Sequence, residues 1–215
     1  MHGTELPAER ELAEALGVSR FSLREALRVA QAQGLIEISR GRRPRVAAPS
    51  ADAAARIIEI TLRRTDRTLL DLADARIVLE AHIAREAATR VSDTDIAQLQ
   101  ETIDLIVQNK CDPDLCAEQD IRFHALLVKA TGNVVFEVML APLALLLREA
   151  RKETLRQGTE PVLNGHTAIL SALRRHDPDA AEHAMRTHLE LAQAHIRQSA
   201  VPAATSLNQT PGITL

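Results

Sequence analysis

Aromatic residues are nearly absent. The 215-residue chain has three Phe (Phe21, Phe123, Phe136) and neither Trp nor Tyr. A β-sandwich or propeller core is therefore improbable, and so is single-strand nucleic-acid binding on stacked aromatic platforms. Cysteine is equally scarce. Cys111 and Cys116 lie five apart and cannot make a disulfide framework. The first residues are not a basic-then-apolar leader, so a reducing cytoplasm is the expected compartment. No apolar run spans a bilayer, since the longest, Val134 to Leu147, is interrupted by Glu137 and Pro142. A soluble protein without a membrane partner is expected, and no internal repeat is visible.

What is present is an aliphatic, helix-favouring composition, 46% hydrophobic and 26% charged. The formal net charge of −3 at first argues against nucleic acid, but its distribution reverses that inference. Residues 1–50 hold eight Arg against six Glu, and residues 20–45 hold seven Arg against two Glu. The acidic balance sits entirely in the remainder.

Turn and cap signals divide the first fifty residues. Pro7 suits a first helical position, Glu9 and Glu11 a first turn, and Gly17 a C-terminal cap. Ser19 then suits the N-cap of a second helix running to about Gln33 and stopped by Gly34. Its inward face is Leu23, Ala26, Leu27 and Ala30. Leu35 to Ile38 and Arg45 to Ala47 read as two short strands around a basic tip, Ser39 to Pro44. Helix, turn, helix and basic hairpin make a winged helix-turn-helix. Ala47 to Ala51 reads as a linker.

Beyond it, helical periodicity predicts helices near 52–63, 68–90, 93–108, 113–131, 134–156, 161–176 and 178–199. The expected domains are 1–48, DNA-binding, and 52–200, an all-α bundle, followed by a flexible tail at 201–215. The fold class is mainly α.

Arg20, Arg24 and Arg28 repeat every four residues, opposite the apolar face of the second helix. Such a stripe can be a solvated face, or it can enter the major groove, where Arg meets guanine or phosphate. The basic tip one strand later, with Arg40, Arg42 and Arg43 around Gly41, favours the groove. In the second region, Asp120 and His124 sit at i and i+4, with His166 and His188 on later helices. One carboxylate and three imidazoles from three helices can hold Zn, or alternatively Ni or Mn. A D-x3-H pair also recurs by chance on solvated helices, so spacing alone leaves both readings open. His82, His176 and His183 read as surface or packing residues, and His195 as a neighbour of the cluster rather than a ligand.

Leu6-Pro7-Ala8-Glu9-Arg10-Glu11-Leu12-Ala13, Gly17-Val18-Ser19-Arg20, Arg24-Glu25-Ala26-Leu27 and Gly34-Leu35-Ile36 resemble the DNA-binding domain of the GntR family of bacterial transcription regulators. That resemblance implies operator contacts by Arg10, Ser19, Arg20, Arg24 and Gly41. Two departures stand out. Phe21-Ser22 replaces a small polar residue followed by Pro or Thr. A helix expected some twenty residues before Leu6 is missing, which reads as a truncated or late start.

Residues from about 55 to 200 resemble the FCD effector domain of the FadR subgroup. The matching stretches are Asp71 to Arg76 with Leu79-Glu80, Asp120 to His124 with Gly132-Asn133, Gly165 to Ile169, and Ala184 to His188. The resemblance implies metal ligation by Asp120, His124, His166 and His188, and a pocket-facing Arg76 that receives an effector carboxylate. Arg76 could equally be a structural partner of Glu80 at i+4.

The expected function is a homodimeric, ligand-responsive repressor of operator DNA, switched by a small organic acid at the metal site. Aldonate, lactate-like and dicarboxylate effectors are all compatible with such a pocket. The alternative is a metal-dependent hydrolase or other small-molecule enzyme built on the helical domain. The sequence has no H-E-x-x-H, no Cys cluster and no Gly-rich phosphate loop, and an enzyme leaves the basic module unexplained.

Overall fold

The computed structural model describes residues 3–39, 42–47, 51–63 and 69–200. It divides into two compact units, Met1–Thr61 and Leu62–Leu215. Arg40, Gly41, part of the expected linker and the 201–215 tail lie outside the described residues.

In the first unit α1 (Glu9–Leu16) and α2 (Arg20–Ala32) flank a tight turn. Gly17 closes α1 in the left-handed conformation, φ 65°, which glycine adopts without steric cost. Pro7 lies outside the helix, contrary to the sequence expectation. Ala8 is the N-cap residue, and Glu11 reaches back to its backbone N–H at 3.2 Å. Ser19 caps α2 by accepting from the Ser22 backbone N–H at 3.0 Å. Removing that acceptor in Ser19→Ala is expected to cost about 1 kcal/mol. A shift of the denaturation midpoint measures it.

The strands are shorter than the pattern suggested: β1 (Ile36–Glu37) pairs antiparallel with β2 (Arg45–Val46). The start of the chain adds to them, unforeseen from the sequence. Gly3 N–H donates to the Val46 carbonyl and Val46 N–H to that of Thr4, both at 2.9 Å. Arg45 also pairs with Glu5 at 2.7 Å. The unit's small core is Ala13, Leu23, Leu27 and Ile36, with Leu6, Leu12, Ala30 and Ile38 packed against it. Ala26, expected inside, is exposed. Helix α3 (Asp52–Arg63) follows.

The second unit is all helical: α4 (Leu69–Ala88), α5 (Asp93–Gln108), α6 (Pro113–Thr131), α7 (Val134–Leu146), α8 (Arg148–Gln157), α9 (Glu160–Arg174) and α10 (Pro178–Ala200). The segment 134–156, read as one helix from periodicity, is two. Its backbone turns at Leu147 (φ −91°, ψ 2°), five residues after Pro142, whose ring removes one helical N–H donor. No Gly or Pro marks position 147 itself. Leu147 is 1% exposed, so packing rather than a local signal sets the turn.

Helix α4 lies along α10, and α9 packs beside α10. Ala81, Ala84, Ala87 and Ala88 on α4 are fully buried, as is Ala181 on α10, so small side chains let the helices approach closely. Ile83, Leu99, Ile106, Leu127, Ile169, Leu170, Leu173 and Met185 fill the interior with aliphatic volume. Ser92 and Asp95 form a reciprocal capping box, Asp112 caps α6, and Gly132 ends it. Among the described residues no helix is long and apolar enough to cross a membrane.

Candidate metal centre and nucleic-acid interface

Helical spacing puts Asp120 and His124 one turn apart on α6, and the packing of α9 and α10 brings His166 and His188 to the same point. One candidate ligand atom from each of the four lies within 4.8 Å of every other. Two ligands about 2.1 Å from a shared zinc are at most about 4.2 Å apart, so little closure is needed. All four residues are at most 5% exposed. Such burial is uncommon for polar side chains without partners.

The imidazoles are short of partners. His166 Nε2 stands 3.2 Å from Asp120 Oδ1, and His124 Nε2 3.8 Å from the same oxygen. Neither contact has hydrogen-bond geometry, and His166 Nδ1 has no partner at all. The ring of His166 lies flat on Phe123, centroids 3.9 Å apart and planes 6° apart, which fixes its plane. His188 occupies space that only a glycine leaves. A Cβ on Gly165 would lie 2.3 Å from His188 Nδ1. Orphaned lone pairs, a fixed ring and a cleared approach fit a divalent cation.

Two arginine–carboxylate pairs support the cluster. On α4, Arg76 Nε donates to Glu80 Oε1, and Glu80 Oε2 abuts His124 Nδ1. From α8, Arg151 Nη1 donates to Asp120 Oδ2. Burial opposes ionisation of Asp120, but Arg151, His166 and His124 more than offset it and hold the carboxyl well below its usual range. Glu80 is held low in the same way: burial resists, and Arg76 and His124 prevail. Burial pushes His124 down to about 4, against the pull of Glu80. Burial also lowers His188 strongly, reinforced by His166 and His124. At neutral pH the site thus presents charged carboxylates and, at His124 and His188, neutral imidazoles, the forms a metal requires.

Arg76 is paired with Glu80, and it also lines a cavity of about 40 Å³ together with Asp120, Arg151 and His188. Its Nη2 has no hydrogen-bond partner. Sequence reasoning missed Arg151, which carries no motif. It also missed the contact of Glu80 with His124, although the i+4 spacing from Arg76 marked Glu80 as a partner. Gly165, an isolated glycine in a helical pattern, was a readable signal of close approach. Of the remaining histidines, His82 meets Phe136 edge-on and His176 Nδ1 lies 3.0 Å from the Ala88 carbonyl. His195 is half-buried and does not join the four.

In the first unit, Arg20, Arg24 and Arg28 are exposed on one face of α2. Arg24 reaches Glu9 on α1 with Nε and Nη2, at 3.2 and 3.1 Å. Arg28 pairs with Glu25, and Arg10 with Glu14. Arg20 has no partner among the described residues, and Arg42 is exposed. Phe21, beside Arg20, is 75% exposed.

The first unit is thus a winged helix-turn-helix, and the second is a helical bundle around a buried cluster of one aspartate and three histidines. Together they define a regulator that joins a DNA-binding module to a second, helical module. The chain belongs to the gntR family of bacterial regulatory proteins. That family's model matches residues 1–46, and the FCD domain model matches residues 71–191. The chain is similar to the HTH-type transcriptional repressor NanR of Enterobacter sp. (strain 638), 33% identical over 89% of this chain and 76% of the relative. NanR of Edwardsiella tarda (strain FL6-60) is 34% identical over 87% and 75%. The solved structure of Streptococcus agalactiae GntR is 28% identical, covers 90% of this chain and 91% of that one, and superposes with a TM-score of 0.69.

Proposed function

We propose that this protein is a homodimeric, cytoplasmic transcription repressor whose operator affinity is set by a small organic acid bound at a metal site in its helical unit. The observation that carries this reading is the buried Asp120, His124, His166 and His188 cluster, which borders a cavity reached by Arg76. The sign, repression, follows the NanR relatives.

The four residues would hold a divalent ion, zinc first, with nickel or manganese as alternatives. Bound there, such an ion would supply positive charge, and one that takes six ligands rather than four would leave room for a carboxylate oxygen. The protein's own groups do the rest. Glu80 orients His124, Arg151 holds Asp120, Phe123 fixes the plane of His166, and Arg76 offers Nη2 to the effector. Ligand changes DNA affinity only through different affinities for two arrangements of the dimer.

On the DNA side, α2 fits the major groove, with Arg20 and Arg24 toward base edges and Ser19 and Arg10 toward the backbone. Phe21 is suited to apolar contact with a thymine methyl. Arg42, and in sequence Arg40 and Gly41, extend the contact through the wing. Two recognition helices are needed for two half-sites, hence the dimer, which sedimentation velocity checks. Because Arg24 is held by Glu9, reading a base exchanges one acceptor for another. Arg24→Ala is expected to weaken binding to a selected duplex by about 1–3 kcal/mol, and to random duplex much less. Equal losses on both would reduce Arg24 to a phosphate contact.

The test of the whole reading selects tight-binding duplexes from a random pool with metal-loaded protein. It then titrates a panel of organic acids against the complex. Release by one acid, without turnover of it, is expected. Turnover would instead favour the enzyme reading, and indifference to every acid and to metal removal would overturn the switch.

A further inference from the structure

Phe21 is the only Phe, Tyr or Trp of the first unit, and it stands in solvent. The other two aromatic side chains belong to the helical unit, where Phe123 stacks on His166 and Phe136 meets His82. On α2, Phe21 lies three residues before Arg24, four before Glu25 and seven before Arg28. It therefore shares their side of the helix, away from the buried Leu23 and Leu27. The residues that follow it are committed elsewhere. Ser22 donates its backbone N–H to Ser19 Oγ at 3.0 Å, the two hydroxyl oxygens lie 2.9 Å apart, and Leu23 is in the core. The first turn of α2 is thus pinned, and it holds the phenyl ring outward. A lone exposed apolar side chain is ordinary on a protein surface. This one sits between two exposed arginines, Arg20 before it and Arg24 a turn later. A face that draws phosphate through its arginines carries the ring with it into the groove.

The chemistry of a phenyl ring restricts what it can meet there. It has no donor or acceptor, so it cannot answer the hydrogen-bonding edges of guanine, adenine or cytosine. Pressed against one, it would strip water from polar atoms and replace no hydrogen bond. The major groove offers one apolar group, the C5-methyl of thymine. Methylated cytosine carries the same methyl at the same ring position. The two bases differ at C4, where one has an oxygen and the other an amino group. A contact without hydrogen bonds does not sense that difference.

Resting on the DNA-binding reading of the first unit, we infer that Phe21 is a specificity residue that reads a pyrimidine C5-methyl, on thymine or 5-methylcytosine alike. Cytosine methylation at that base pair therefore strengthens operator binding. The methylated pyrimidine lies among the base pairs spanned by Arg20 and Arg24, and the inference is independent of the metal site.

The test uses the full-length protein and the tightest duplex selected from a random pool. Each thymine is replaced singly by deoxyuridine, which removes the methyl and nothing else. At one base pair of a half-site the affinity is expected to fall about fourfold, the worth of one hydrocarbon group returned to water. Cytosine and then 5-methylcytosine, paired with guanine at that position, should show an equal gain on methylation. Phe21→Ala should bind the thymine and deoxyuridine duplexes equally, which assigns the effect to the ring rather than to duplex shape. Circular dichroism checks that the variant folds, as expected for a ring outside the core. Selected duplexes in which no thymine methyl matters overturn the inference and leave the DNA-binding reading standing. So does a methyl effect that persists in Phe21→Ala. A variant altered only in its sedimentation also overturns it, and places the ring at a protein contact. Sensitivity to deoxyuridine without a gain on cytosine methylation overturns the methylation response. Wild-type protein that selects no duplex overturns both readings.

Discussion

His166→Ala protein is expected to lose its metal, with content per chain falling to near zero. The ring it removes is fully buried, lies flat on Phe123 and has an Nδ1 with no hydrogen-bond partner. A side chain so placed contributes little as a hydrogen-bonding group and much as a ligand. Stability carries the same signature. Metal at about a hundredfold over its dissociation constant adds about 2.7 kcal/mol to a native state that alone binds it. In a chain of this length that corresponds to a rise of about 5–10 °C in Tm. Wild-type protein should show the rise, and the variant should not. Duplex binding without ligand should be largely retained, since the first unit has its own core. Unchanged metal stoichiometry in the variant rejects His166 as a ligand.

Gly165→Ala is expected to be destabilising, against the helix-propensity rule. Replacing an interior helical glycine by alanine ordinarily gains about 1 kcal/mol. Here the new methyl would sit 2.3 Å from His188 Nδ1, 2.8 Å from its Cγ and 3.0 Å from its Cβ. Either the imidazole swings out of the cluster or α9 and α10 part. Overpacking of this kind costs about 1–3 kcal/mol. Displacing His188 should weaken metal binding by at least about tenfold, the scale on which lesser disturbances around a ligand act. Denaturation and metal titration of the variant measure both effects. A variant more stable than wild type with unchanged metal affinity would show that the ring has another place to go.

The winged module was legible because its signals are local. Gly17, Ser19 and the spacing of Leu23 and Leu27 write a turn, a cap and an apolar face into a short stretch. What escaped was the pairing of residues 3–6 with β2, since a bridge between Glu5 and Arg45 leaves no periodic trace. The break at Leu147 escaped for the same reason. An aliphatic run reads as one helix whether or not packing bends it, and that bend separates α7 from the helix that carries Arg151.

The scarcity of aromatics and the clustering of arginine sufficed to indicate an aliphatic helical protein with a basic recognition helix. Helical periodicity also placed Asp120 and His124 on one face, because i and i+4 meet on any α-helix. Whether His166 and His188 joined them was beyond periodicity, since it depends on how three helices pack. Small residues decided that: the buried alanines of α4 and Gly165 of α9 draw the backbones close enough for the rings to converge. The arginine–carboxylate pairs belong to the same level. Arg151 and Asp120 are 31 positions apart and meet only once the fold has buried both, where an unpaired charge would be too costly to keep.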